Sequence, residues 1–228
     1  MLEVKIFTLY PDLFPGPLDI GIFKKAKENK IWDLKVINIR DYSKDNRGTV
    51  DDTPFGGGSG MLLRPDILAS ALDKNTKKGE KIIYLSPRGK KFDQNYAKEL
   101  SKEKSVSIIC GHFEGVDERV LSTRNIEEVS IGDFILSGGE SAAFVVIDSI
   151  LRLLPGVLGN ENSTLNESFE NGLLEYPQFT KPQIWEEKAV PEVLLSGDHN
   201  KIKHWRLSQS EAITRVRRPD LWKKYKKN

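Results

Sequence analysis

Apolar and polar positions alternate from Leu2 to Leu9 in the two-residue period of a half-buried strand. Helical spacing follows from Leu18 to Asn29, and a second strand is predicted from Trp32 to Ile39. Residues 44–60 are polar and glycine-rich, the composition of a loop. Pro65 suits the first turn of a helix running toward Lys77. The apolar run "KIIYLSP" (81–87) predicts a buried strand ending at Pro87, and Asp93 is placed to cap a helix to Leu100. "VSIICG" (106–111) reads as another buried strand, 115–125 as a helix, 127–136 as a strand and 140–154 as a helix stopped by Pro155. Strands apolar on both faces and alternating with helices predict an α/β fold: a mostly parallel sheet covered on each side.

Beyond Pro155 the pattern weakens. Residues 159–176 read as a linker between a first domain, 1–158, and a small, mainly helical C-terminal domain, 177–228. That second domain is expected to hold one strand at 192–197 and basic helices at 199–208, 209–217 and 219–226. Neither an internal repeat nor a low-complexity tract interrupts the chain.

Composition narrows the class. With 38% apolar and 30% charged residues the chain suits a globular protein, and no apolar run reaches the roughly 20 residues of a membrane span. The strand pattern starts at the N-terminus, so no signal peptide is expected and the cytoplasm is the expected compartment. Cys110 is the single cysteine, which excludes an internal disulfide, and one cysteine with three histidines gives poor material for a structural zinc site. The net charge of +2 is unevenly spread: residues 199–228 carry ten Lys/Arg against two Asp/Glu, or +8, leaving −6 on the first 198. A basic tail interleaved with Trp205, Trp222 and Tyr225 suits a polyanion partner, and a solvated basic helix face has the same signature.

Three strand ends run into loops that carry glycine: "YLSPRG" (84–89), "CGHFEGVDER" (110–119) and "IGDFILSGGE" (131–140). In open parallel sheets, ligands bind outside the carboxyl ends of strands. None of the loops is a dinucleotide fingerprint or a Walker loop. The adjacent pair Gly138–Gly139 before a helix is either a tight turn or a place where something other than protein meets bare backbone, with Ser137 as the expected helix cap.

The segments "TVDDTPFGGGSGM" (49–61), "YLSP", "CGHFEGVDER", "SIGDFILSGGE", "IDSILRLLPGVLGN" (147–160) and "PEVLLSGDHNKIKHWR" (191–206) together resemble the bacterial tRNA (guanine-N1)-methyltransferases, the TrmD family of SPOUT enzymes, in the same order. The resemblance implies a SPOUT-type parallel sheet with a C-terminal trefoil knot, and methyl transfer from S-adenosylmethionine to N1 of guanine at position 37 of tRNA. Positions similar to the family's cofactor contacts are Tyr84, Leu85, Ser86, Gly111, Glu114, Gly115, Ile131, Gly132, Asp133, Phe134, Ile135, Leu136, Gly138 and Gly139. The same resemblance makes Glu167 the general base and Arg152 the cation at guanine O6, with Glu114 near a Mg2+ ion. Asp51 and Ser59 would approach the target nucleotide, and Arg215, Arg217 and Arg218 the anticodon stem-loop. A homodimer with shared active sites is implied, with no membrane and no other stable protein partner.

The chain departs from the family at three of these places. Glu167 stands where Asp is usual, Ser59 where proline is common and Phe113 where tyrosine is frequent. Two other readings are a SPOUT enzyme acting at a different RNA position and an RNA-binding module without catalysis, which the change at 167 would suit.

Overall fold

The computed structural model describes residues 1–159 and 167–227, so residues 160–166 of the expected linker lie outside the described residues. The chain divides into two compact units, Met1–Gly159 and Asn160–Asn228.

The first unit is built on five strands: β1 (Leu2–Thr8), β2 (Trp32–Asn38), β5 (Lys81–Lys91), β6 (Ser105–Cys110) and β7 (Glu127–Ser130). They pair in the order β2-β1-β6-β5-β7, every pair parallel. Both faces are covered by helices, and the central strands β5 and β6 carry the continuous buried runs, Ile82–Ser86 and Val106–Cys110, that such cover demands, while edge strand β2 leaves Asp33 and Lys35 exposed. One face packs Val4, Ile6, Ile83 and Ile108 against side chains of α1 (Gly21–Glu28), α3 (Gln94–Leu100) and α5 (Glu140–Leu151). The opposite face packs Phe7, Ile37, Tyr84 and Ile109 against α2 (Pro65–Asn75) and α4 (Glu118–Thr123). Pro65 opens α2 at its first turn, and Asp93 caps α3 by accepting from the Tyr96 amide at 3.0 Å.

Several boundaries differ from the sequence reading. Pro87 does not end β5: the ladder with β7 breaks between Leu85 and Lys90 and then resumes, so the proline lies in a bulge where no amide donor is needed. The expected strand 127–136 stops at Ser130, because the Ser130 hydroxyl bonds Gly132 and turns the chain out of the sheet. The expected helix 115–125 shrinks to α4, capped by Asp117, and the helix 140–154 ends at Leu151. Within the expected loop 44–60, β3 (Asp51–Asp52) pairs antiparallel with β4 (Leu62–Leu63).

In the second unit, α6 (His199–Arg217) is one helix where two were expected, started by Asp198 and followed by α7 (Pro219–Tyr225). The Thr214 hydroxyl, fully buried, donates to the Ser210 carbonyl at 2.6 Å and accepts from the Leu174 amide at 2.8 Å. The expected strand at 192–197 is a single 3-10 turn, Glu192–Leu195, which no strand among the described residues pairs with. A short hairpin, β8 (Ile184–Trp185) with β9 (Lys188–Ala189), completes the unit.

A charged cluster interrupts the apolar core at the start of the sheet. Lys5, on a central strand, meets Glu80 at 2.8 Å, with side-chain exposures of 4% and 3%. Burial opposes a charge on Glu80, but donors from Lys5, Ser107, the Lys77 amide and Ser105 outweigh it and hold the carboxyl below its ordinary value. A lowered folded value means the pair stabilises above the ordinary carboxylate range and loses that contribution as pH falls through the folded value. Lys5→Met should therefore lower unfolding stability at pH 7 by about 3 kcal/mol, by stranding a buried carboxylate. Urea melts should show the gap to wild type narrowing on acidification, as Glu80 takes up a proton in both proteins.

Candidate active site

The carboxyl ends of β6, β5 and β7 are neighbours in the sheet, so the three glycine-bearing loops converge. Between them lies a cavity of about 540 Å³. Every position expected to touch a cofactor lines it except Asp133. From β5 come Tyr84, Leu85 and Ser86, the last of them leading into the bulge; from β6 come Gly111, Glu114 and Gly115; the third wall is the 131–139 segment. Burial pushes the Tyr84 phenol above its ordinary value, with the Glu128 charge adding to it, so the hydroxyl stays protonated at neutral pH. At the rim, Arg88 spans to Glu118 and Glu128, each at 3.1 Å.

The glycine pair has a reason in the protein itself. A Cβ on Gly139 would stand 2.7 Å from the Cys110 Cα and 2.9 Å from the Gly111 nitrogen. On Gly138 it would meet His112 Cε1 at 2.2 Å. Both glycines border the cavity, yet protein lies against their bare sides, and the Gly139 amide donates to the Gly111 carbonyl at 3.0 Å. Of the two readings of the pair, close packing at a turn is what the protein's own contacts require, and both glycines still line the cavity. Ser137 is not the cap of α5; Gly139 holds that position without a side-chain bond.

His112, which sequence reasoning passed over, also lines the cavity. Its Nε2 lies 2.7 Å from Glu140 Oε2, and the other carboxylate oxygen accepts from the Thr8 hydroxyl at 2.5 Å. Nothing in the sequence links positions 8, 112 and 140; only the parallel order of β1 and β6 brings them together.

Glu114 is held from outside the sheet. Its amide donates to the Met61 carbonyl at 3.0 Å, and Gly60 packs so close that a Cβ there would strike Glu114 Cγ at 2.4 Å. This fastens the β3–β4 segment beside the cavity: Asp51 sits half-buried opposite Leu63, while Ser59 is exposed in the intervening turn. No group of three or more His, Cys, Asp or Glu that could hold an ion occurs among the described residues.

Arg152 is the C-cap of α5, half-buried, with its amide on the Asp148 carbonyl at 3.1 Å. Burial raises the Asp148 carboxyl above its ordinary value against the pull of the Arg152 charge. In the second unit, Glu167 is half-buried at the start of a turn, its carbonyl accepting from the Glu170 amide at 3.3 Å. Arg215 and Arg217 are exposed near the end of α6. Arg218 is half-buried and forked onto Asp220, at 2.8 and 2.6 Å, which holds the Asp220 carboxyl down at about 2. No helix among the described residues is long and apolar enough to cross a membrane.

Known proteins match this chain along its whole length. The family model described as tRNA (Guanine-1)-methyltransferase TrmD matches residues 2–224. A tRNA (guanine-N(1)-)-methyltransferase of Pelagibacter ubique strain HTCC1062 is 78% identical over 228 residues, all of both chains. Proteins of the same name from Bartonella tribocorum and Caulobacter vibrioides are each 52% identical, covering 99% and 98% of this chain and 97% and 91% of their own. With the match running through both units, the chain belongs to the tRNA (guanine-N1)-methyltransferase family.

Proposed function

We propose that this protein methylates N1 of guanine in tRNA, at position 37 beside the anticodon, with S-adenosylmethionine as donor. The observation that carries the reading is the cavity at the ends of β5, β6 and β7, found in a chain whose family is named for this reaction. Its volume of about 540 Å³ falls within the range of small-molecule sites, roughly 300–1,000 Å³. Apolar walls from Leu85, Ile131 and Leu136, with the Tyr84 ring packed over Gly111 and Gly115, suit a ligand with both a ring and a flexible polar arm. S-adenosylmethionine, when bound, supplies an electrophilic methyl group on a sulfonium.

The chain's own residues must make guanine reactive. Neutral N1 carries a proton and is a weak nucleophile until a base removes it, a task for the Glu167 carboxylate. Glutamate reaches about one bond further than the aspartate usual in the family, so the turn beginning at 167 has to set its carboxylate back. Negative charge then gathers on O6, where the Arg152 guanidinium stabilises it. Asp51 and the exposed Ser59 turn would contact the target nucleotide, and Arg215, Arg217 and Arg218 the phosphates of the anticodon stem. Because Arg218 is already engaged by Asp220, the first two carry most of that role. Mg2+ at Glu114 would need donors from water and substrate as well, and no step is assigned to it.

The reading extends to the first unit as the methyltransferase domain and the second as the tRNA-binding domain, joined by the linker. It also includes the trefoil knot, supported by the 131–139 crossing from the edge strand β7 to the Gly111 carbonyl just beyond the end of β6. A homodimer with shared sites is supported by the exposed apolar side chains Tyr10, Leu13, Ile20, Ile22 and Val145 on the first unit. The compartment is that of its tRNA substrate, the cytoplasm.

Glu167→Gln keeps size but cannot take the N1 proton, so single-turnover methyl transfer to a tRNA transcript should fall by roughly two to four orders of magnitude. Glu167→Asp should stay active. A near-wild-type rate in the Gln variant would move the base elsewhere, and mass mapping of the product nucleoside would expose a different target position. No transfer by the wild type would leave an RNA-binding module. Arg215→Ala with Arg217→Ala should weaken tRNA binding and flatten its dependence on salt. An unchanged slope in filter binding would make the tail a solvated face.

A further inference from the structure

The His112–Glu140 pair belongs to no step above, and it occupies the cavity wall in an unusual way. Glu140 is 4% exposed, at the first turn of α5, directly after the two glycines. Both carboxylate oxygens are engaged, one by Thr8 at 2.5 Å and the other by His112 at 2.7 Å. The Thr8 oxygen in turn accepts from the Tyr10 amide at 2.9 Å, and the Tyr10 ring stands edge-on to the imidazole, centroids 4.7 Å apart. A buried carboxylate is tolerated only with such donors, so the imidazole is held in one place from two sides. The held ring fills the space that a Cβ on Gly138 would need, with Cε1 2.2 Å from that point.

We infer that His112 is a positioning residue for the methyl donor: anchored by Glu140 and Thr8, its imidazole props the Gly138–Gly139 backbone and fixes the cavity wall against which the donor lies. The inference rests on the proposed reading of the cavity as the donor site. The chain Thr8–Glu140–His112 thereby ties three elements, β1, α5 and the loop after β6, to one wall. Removing the imidazole opens a void under Gly138 and leaves Glu140 short of a donor, so the wall loses its fixed height there, while Gly139 keeps its seat on Cys110 and Gly111 and the sheet beneath is untouched. The effect falls on donor affinity.

Calorimetry of the full chain with S-adenosylmethionine tests this, alongside thermal melts of the ligand-free variants. His112→Ala should raise Kd about tenfold, the size expected for one charge-assisted hydrogen bond. His112→Gln, whose amide nitrogen can reach the place of Nε2 and donate to Glu140, should recover most of that loss. Adding Glu140→Ala to His112→Ala should cost little more, because the two act as one unit. KM for the donor should move with Kd, and kcat should fall less. Wild-type affinity in a folded His112→Ala protein, additive losses, or a Gln variant no better than Ala would overturn the proposal. If the alanine variants do not fold, Thr8→Val, which lies outside the cavity lining, takes their place: weaker donor binding is expected, and an unchanged Kd overturns the proposal. Failure of the wild type itself to bind the donor would sink the reading of the cavity, a result distinct from variants that bind as wild type does.

Discussion

The site depends on one close approach of backbone to backbone. The segment leaving edge strand β7 must cross the end of β6, and at Gly139 it comes so near Cys110 and Gly111 that no side chain could stand between. The hydrogen bond from the Gly139 amide to the Gly111 carbonyl closes the contact. From it follow the start of α5, the placement of Glu140 at the cavity wall and the convergence of three loops on one volume. The sheet supplies a rigid floor, but without this contact the 131–139 segment would have no reason to return over it.

The β5 bulge solves a related problem. A strand that continued in register would carry Ser86 to Gly89 along β7, closing the ground where the cavity lies. By leaving the ladder at Leu85 and rejoining at Lys90, the chain keeps its sheet bonds on either side and pushes Ser86, Pro87 and Arg88 to the cavity. Arg88 then reaches Glu118 on α4 and Glu128 on β7, so the rim is braced by ions while the interior remains mostly apolar and backbone.

How much of this was legible in the sequence divides along physical lines. The parallel sheet was, because strands buried on both faces read as unbroken apolar runs. The loops at strand ends were, because their glycines and their resemblance to a family pointed the same way, and only Asp133 among the expected contacts faces elsewhere than the cavity. The end of β7 was not: Phe134, Ile135 and Leu136 are apolar like a strand, but they stand exposed in a loop. Nor was the turn at Glu192–Leu195, where β-branched and aliphatic residues suggest a strand that finds no partner among the described residues. The two-residue pairings of β3 with β4 and β8 with β9 are too short to leave a period. Thr8, Glu140 and His112 meet only because of the topology; residues 132 positions apart leave no local signal.

The crossing that shapes the cavity also seals the protein's only thiol. Cys110 lies directly beneath Gly139 with no exposed surface, and burial, reinforced by the Glu140 charge, pushes its ionisation well above the ordinary range. Such a sulfur has neither the thiolate character nor the access that oxidants and alkylating reagents require. The folded enzyme is consequently blind to thiol chemistry, and a cysteine introduced on its surface would be the sole reactive handle for attaching a probe.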